Sequence, residues 1–514
     1  MNFKNFLISI TLASLTLFAL EYFIIRPYLT PGNGAQEVKS GQSFVAPQSP
    51  LEAQPLNKEV NFSADEAGDS SPAVQTRIET ESATYIFSNK GACLEQLVFK
   101  RHMNGELITL KTIETPQDLS RENNCFLVGL DTNTPYNFTL VDHDQGDAVS
   151  HVTYRGQTDH AIIDKMFTIN HAQFKIDLVI TITPKKEPVQ ARIFFSSPSL
   201  GLKGDVVSAL YNNQKGSVVK KARAKVDPNT GWFAPTLFGS DDRYFIHAMV
   251  TDPQHFAQRA YYSLVGQTRL ISILESAPIT VPTTWTVSFY CGPKEESVMT
   301  AVDPRLEQTL DYSGILAPIS RALLWILNYL YRFLHNYGWA IVILTMVINL
   351  ILLPLNLFGS KSFKKYADFQ KKLAYLQQRY KNDPDTLARE RAELINKNGM
   401  PGAAGCLPKL LQLPIFFALS RVLSSAIQLY KAPFLWISDL SATDPYYILP
   451  VLIGSSMLFL APTNDPKQRF TMIAMALFFG AFSANLSAGL SLYIFVGVLL
   501  GVIQNFFQQK MGWA

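Results

Sequence analysis

The sequence predicts a polytopic α-helical membrane protein of six crossings joined to an all-β sandwich domain outside the membrane. Three observations carry that prediction. Between about 76 and 303, short aromatic and β-branched runs recur between turn residues without a helical period. Long apolar stretches follow from 338 onward. Between two of them, residues 361–409 hold eleven Lys or Arg against five Asp or Glu. The 514 residues are 47% hydrophobic and 17% charged, against about 25% charged for a soluble protein. A wholly disordered chain is excluded, and a net charge of +4 is too small for a general nucleic-acid binder.

At the N-terminus, residues 6–25 form an apolar run with Lys4 before it and Arg26-Pro27 after it. No small-residue cleavage pattern interrupts it, and about 20 residues suffice for one crossing. Residues 1–30 are therefore expected to be an uncleaved anchor rather than a cleaved signal. Residues 31–75 are rich in Gly, Pro, Ser, Gln, Ala and Glu. They carry too little apolar surface to offset ordering and are expected to be a flexible linker. In the β-domain, 76–305, the runs 83–87, 175–183, 191–195, 270–274 and 285–290 read as strands. Cys93, Cys125, Cys291 and Cys406 are too few for a disulfide scaffold and show no CxxC pairing; buried free thiols are expected. The histidines show no ligand spacing. No Walker A, GxSxG or HExxH motif is present. No metal, no cofactor and no enzymatic site are expected, and nucleotide-driven work has no support.

Residues 306–337 read as an amphipathic helix lying on a membrane surface. Arg321, Asn328, Arg332 and His335 share one face, with Leu323, Ile326, Leu327, Leu330 and Leu334 covering the other. A core-facing helix of the β-domain is the alternative. Spans are then expected at 338–360, 406–430, 446–462, 470–485 and 486–507. The last two come from 38 uncharged residues, 470–507. As one helix these would reach about 57 Å, far beyond a hydrocarbon core of about 30 Å. Asn485-Leu486-Ser487-Ala488-Gly489 supplies the turn. The basic segment 361–405 is placed in the cytoplasm by the positive-inside rule, as is 463–469. The N-terminus then lies inside, while the β-domain and the loop 431–445 lie outside. A turn at 382–385 makes 361–405 an αα-hairpin. Lys364, Lys365, Lys371, Lys372 and Arg379, with Lys467 of the next cytoplasmic loop, are candidate recruiting charges for ribosomal RNA or lipid headgroups. A merely solvated, topology-setting loop explains them equally well. The tail 508–514 is short.

Gly405-Cys406-Leu407-Pro408, Gln412-Leu413-Pro414-Ile415-Phe416, Ala432-Pro433-Phe434 with Trp436-Ile437, Asp439-Leu440-Ser441 and the run Asp444-Pro445-Tyr446-Tyr447-Ile448-Leu449-Pro450 resemble the YidC membrane-protein insertase family, in its Gram-negative form, over about 312–507. The resemblance implies five core helices around a hydrophilic groove open to cytoplasm and lipid, and a periplasmic β super-sandwich in the inner membrane's outer compartment. It also implies insertion and folding of nascent membrane proteins, alone or with the Sec translocon. Partners would then be nascent chains, the translocon, membrane lipids and a ribosome.

The family places an arginine in the groove on the first core helix; here Asn349 stands at that position. Arg421 is the only charge deep in a core span. It lies 12 residues beyond Lys409, as Asn349 lies 12 before Lys361, so the two are expected at similar depth. An intramembrane arginine costs about 3 kcal/mol or more unless hydrated or paired. Arg421 is therefore expected to replace the missing groove charge; structural packing or snorkelling is the alternative. Thr345, Asn349 and Asn356 form one helical stripe, and Arg421, Ser424, Ser425 and Gln428 another. Gln412 matches a family polar position, and Gln504 and Asn505 are candidates on the last span. Hydrogen bonding between helices would explain each polar residue as well. Phe416, Leu419, Met457 and Phe482 are expected on the greasy flank. A small-solute transporter and a cell-envelope enzyme are the competing readings. The first lacks the internal repeat common in transporters; the second lacks a catalytic cluster.

Overall fold

The structure is a computed structural model that describes residues 60–62, 73–103, 106–114, 124–185, 187–200, 206–213, 216–266, 268–312, 316–381, 383–398, 403–459 and 466–510. The expected anchor 1–30 and most of the linker 31–75 lie outside these. The chain divides into two compact units, Met1–Ser313 and Gly314–Ala514.

Among the described residues the first unit has eighteen strands: β1 (Gln75–Glu79), β2 (Ala83–Ser88), β3 (Cys93–Met103), β4 (Glu106–Glu114), β5 (Leu127–Leu130), β6 (Thr139–Gln145), β7 (Val149–Gln157), β8 (Ala161–Asn170), β9 (Lys175–Pro184), β10 (Ala191–Ser196), β11 (Ser208–Asn212), β12 (Val218–Ala222), β13 (Gly231–Phe233), β14 (Phe238–Asp241), β15 (Phe245–Thr251), β16 (Arg259–Val265), β17 (Arg269–Glu275) and β18 (Thr283–Pro293). β1–β4 form an antiparallel meander. A five-stranded sheet runs β13-β16-β17-β10-β5, and a nine-stranded one β12-β11-β14-β15-β18-β9-β8-β7-β6. All five strand runs read from the sequence fall on strands. β8 alternates inward and outward residue by residue, as a strand with one buried face must. β10 is buried along its whole length. The two larger sheets pack face to face: Phe238 stacks on Tyr262 at 4.3 Å, and Phe195 meets Phe289 edge-on at 5.2 Å. Cys93, Cys125 and Cys291 are free, buried thiols. Burial pushes the Cys93 thiol up to about 12 and Cys125 to about 11.

Two features depart from the expected domain limits. Within the supposed linker, Val60 is buried and Phe62 pairs with Thr134 in a parallel bridge. Val60 joins the cluster of Leu127, Phe194, Tyr261, Ile271 and Ile273, so part of 31–75 is core. At the other end, α1 (Glu296–Val302) and the 3-10 turn Pro304–Thr309 belong to the β unit. Gln308 accepts from the Val218 amide at 3.0 Å and Asp311 pairs with Lys220 at 3.0 Å, which covers the open edge of β12.

The second unit contains α2 (Ala317–Leu334), α3 (Tyr337–Arg379), α4 (Pro384–Asn398), α5 (Ala403–Ser425), α6 (Ile448–Phe459), α7 (Pro466–Ser483) and α8 (Ala488–Lys510). His335, in the left-handed region at φ 52°, ends α2. Asn336 then caps α3 by accepting from the Gly338 and Trp339 amides. α3 does not stop at the expected boundary of 360: it runs unbroken for 43 residues through Pro354 into the first arm of the hairpin. Asp383 caps the second arm, α4, through the amide and hydroxyl of Thr386. Tyr337–Pro354 and Ala488–Gln508 are long and apolar enough to cross a membrane; Ile448–Phe459 and Arg469–Ser483 are shorter apolar helices. The expected turn between the last two spans is present at 484–487.

Candidate functional site

α3, α5 and α8 each pack against the other two. α2 lies on α3 and α5, and α6 links α8 to α7. The candidate polar residues are carried on this frame.

On α3, Thr345 is fully buried and its hydroxyl donates to the Ile341 carbonyl at 2.7 Å. Asn349 is half-buried, and its Nδ2 donates to the Thr345 carbonyl at 2.9 Å. Both spend their donors on their own helix, a local satisfaction common to Ser and Thr in apolar surroundings. The outer face of α3 is apolar: Met346, Leu350 and Ile351 are exposed. The Asn356 side chain lies outside the described residues.

On α5, Leu419, Val422 and Leu423 are completely buried. Phe417, Ser420, Arg421 and Ser424 are half-buried; Phe417 lies three and four residues before Ser420 and Arg421, and Ser424 four and three after them, so they form a single stripe. Arg421 thus stands on the accessible side of its helix, between two serines. Among the described residues its guanidinium makes no hydrogen bond or ion pair, with Asn349 or any other group. Ser425, one turn beyond Arg421, is buried, and its hydroxyl donates to the Arg421 carbonyl at 2.6 Å.

Two expectations fail here. Gln428 does not continue the face of Arg421, because Ala426 adopts an extended conformation and Gln428 falls in the short 3-10 turn Ile427–Leu429. Leu419 offers nothing to lipid, because it is fully buried among the helices. Of the other flank residues, Phe416 and Met457 are half-buried and Phe482 is 47% exposed.

The sequence reading missed Tyr493. It lies on α8 with its ring 6.5 Å from that of Phe416, and among the described residues its buried hydroxyl has no partner in good hydrogen-bond geometry. Gln412, half-buried on α5, lies close enough to interact with it. A tyrosine inside an otherwise apolar run was the available signal. Gln504 and Asn505 are half-buried on α8, between the exposed Ile503 and Phe506.

Lys372 and Arg379 are exposed on the hairpin arm of α3. The Arg379 guanidinium sits over the rings of Tyr375 and Tyr380, at 6.0 and 5.6 Å. The side chains of Lys364, Lys365, Lys371 and Lys467 lie outside the described residues. α2 buries Ala317, Ser320, Leu323, Leu324 and Leu327 and leaves an outward row of Trp325, Tyr329 and Phe333, the first two stacked and the last edge-on. Among the described residues no group of acids, histidines or cysteines is arranged to hold a metal.

Residues 329–512 match the family described as 60Kd inner membrane protein, and residues 75–326 match the family YidC periplasmic domain. The membrane protein insertase YidC of Geobacter metallireducens is 29% identical, over 93% of both chains. That of Wolinella succinogenes is 41% identical over 44% of this chain and 43% of its own. A crystal structure of an active YidC insertase aligns with 85% of this chain and 94% of its own, at 18% identity and a TM-score of 0.38. With both of its halves matched by the family and relatives aligned along nearly its whole length, the chain belongs to the YidC family of membrane protein insertases, inner membrane proteins with a periplasmic domain.

Proposed function

We propose that this chain inserts and helps fold integral membrane proteins through a hydrophilic groove whose charge is Arg421, without nucleotide hydrolysis. The observation that carries the reading is the stripe of Ser420, Arg421 and Ser424 on the accessible side of α5, opposite the buried Leu419, Val422 and Leu423. A dry lipid-facing arginine would be costly; one flanked by hydroxyls in a wet recess is hydrated, and it attracts the acidic or polar end of an arriving chain. The recess shortens the apolar distance that end must cross. Its apolar segment then moves along the exposed faces of α3, α7 and α8 into lipid, driven by transfer of apolar surface.

The arrangement is six crossings with the N-terminus and the α3–α4 hairpin in the cytoplasm. The hairpin's Lys372 and Arg379 recruit the ribosome or anionic lipid, and the Sec translocon hands over larger clients. The aromatic row on α2 lies in the interface, where Trp and Tyr are favoured.

The test is depletion of the native protein and pulse-labelled insertion of a short hairpin client. Arg421→Ala at normal abundance is expected to slow insertion by about tenfold, equivalent to about 1.4 kcal/mol, with Arg421→Lys recovering most of it. Unchanged insertion in Arg421→Ala removes Arg421 from the mechanism. A defect in solute uptake with insertion intact supports a transporter instead.

A further inference from the structure

The segment between α5 and α6 contains three non-glycine residues at positive φ: Lys431 at 56°, Leu435 at 51° and Tyr447 at 56°. Residues 434–437 form a two-residue hairpin, closed by Phe434 N–H to Ile437 C=O at 2.8 Å and Ile437 N–H to Phe434 C=O at 2.9 Å. Leu435 and Trp436 are its tip. A tight hairpin tip with positive φ favours Gly or Asn; this one holds a leucine that is 71% exposed.

The root of the hairpin is fixed. Phe434 and Ile437 are buried, and Phe434 occupies the space where a Gly338 side chain would be. The Trp436 indole N–H donates to Asp444 at 3.3 Å. Strain held in a rigid frame, with an apolar side chain pushed outward, is the kind of outlier that points to function.

The height of the tip follows from its ties. Asn336 donates to the Pro433 carbonyl at 3.2 Å, one residue before the candidate span that opens at Tyr337. The amides of Ala488 and Gly489, which open the other candidate span, donate to the Ala442 and Leu440 carbonyls at 2.6 and 2.8 Å. The segment is therefore hydrogen-bonded at the start of both candidate spans, which sets it level with one surface of a bilayer that they cross.

We propose that the 434–437 hairpin is a lipid-contacting wedge, with Leu435 entering the headgroup–acyl boundary of the leaflet where α3 and α8 begin. It holds that end of the helical unit at a set depth. Tyr446 and Tyr447, exposed in the same segment, have the amphipathic rings that favour this layer. The proposal rests on the reading that α3 and α8 cross the membrane, and not on Arg421 or on insertion.

The test uses the full-length chain in lipid nanodiscs with Cys406 replaced by Ser; the three described thiols are buried and do not label. An environment-sensitive fluorophore is attached at Leu435→Cys and, separately, at Ile351→Cys, which is 70% exposed within the first candidate span. Phospholipids brominated near the headgroup or deep in the acyl chain serve as quenchers. The Leu435 site is expected to give blue-shifted emission, quenched at least twofold more by the shallow bromine. A water-like, unquenched signal there, with quenching retained at Ile351, overturns the wedge alone. Blue-shifted but unquenched emission at Leu435 identifies a protein cover and also overturns it. Loss of quenching at both sites overturns the crossing reading together with the wedge.

Discussion

Lys165 is fully buried in the middle of β8. Its Nζ donates to the carbonyls of Gly91 at 3.0 Å and Phe126 at 2.6 Å, and to that of Ala92, and it lies near the faces of Phe138 and Phe167. Gly91, Ala92 and Phe126 all have positive φ. One ammonium thus gathers the carbonyls of two strained turns, and its three N–H groups find three acceptors. Replacing Lys165 by Met leaves three buried carbonyls without a donor and is expected to cost about 3 kcal/mol, read as a lower unfolding midpoint of the β unit. Burial also pushes Lys165 down to about 7, against about 10.4 in an unfolded chain. Between these values the unfolded chain binds the proton that the folded one releases, so the contribution of Lys165 to stability rises with pH from about 7 and is lost as pH falls back; above about 8.5 the buried Cys93 and Cys125, which keep their protons in the fold, contribute the opposite slope. Denaturant unfolding between about pH 7 and 8, below the range where free thiols titrate, is expected to show a rising slope that Lys165→Met abolishes; equal slopes in both proteins rule this out. The signal was in the sequence. The inward positions of β8 are Ala161, Ile163, Lys165, Phe167 and Ile169, and a lysine in that row has to find acceptors. Arg421 was legible for the same reason, as a charge where the pattern has none.

Among the elements, α6 and α7 meet through small residues. A Cβ on Gly454 would lie 3.1 Å from the Ala476 carbonyl, and one on Gly480 would lie 3.3 Å from that of Pro450. The backbones approach closely, as small residues at a helix–helix contact allow. Gly454→Leu is expected to force them apart, lowering the detergent melting temperature by several degrees and the cellular abundance with it; an unchanged melting temperature means the crossing is not held there. Hydropathy located both helices because both are apolar runs. It misplaced the limits of others. The change from apolar to basic at 360 alters the environment of α3 without breaking its hydrogen bonds, so the helix continues. The extended conformation of Ala426, which removes Gln428 from the face of Arg421, has no Gly or Pro to announce it. It is fixed by the ties of the following segment, such as Leu440 N–H to Ala432 C=O at 3.0 Å.

At the scale of the whole chain, the β unit begins earlier than its composition suggests. Val60 and Phe62 are two apolar residues at strand spacing in a polar stretch. Averaging over residues 31–75 hides them, although the alternation itself was visible. Val60 fits where residue 129 has no side chain: a Cβ there would fall 2.9 Å from a Val60 methyl and 3.2 Å from the Phe194 ring. The Asn61 carbonyl accepts from the Thr134 amide at 2.7 Å, and Phe62 meets Tyr136 edge-on at 5.4 Å. Burying the valine is worth about 1.5–3 kcal/mol. Gly129→Ala is expected to weaken the dock by crowding Val60, and Val60→Ala to weaken it by removing two methyls. Combined, the two changes refill one volume, and the double variant is expected to be more stable than the sum of the single effects by 0.5 kcal/mol or more, roughly the coupling found for residues in contact. Hydrogen exchange at the Thr134 amide in the full-length chain reports the dock directly, fast in each single variant and slower in the double. Strictly additive effects, with Thr134 exchange unmoved by Val60→Ala, mean that Val60 does not hold the segment and that the β unit starts at β1.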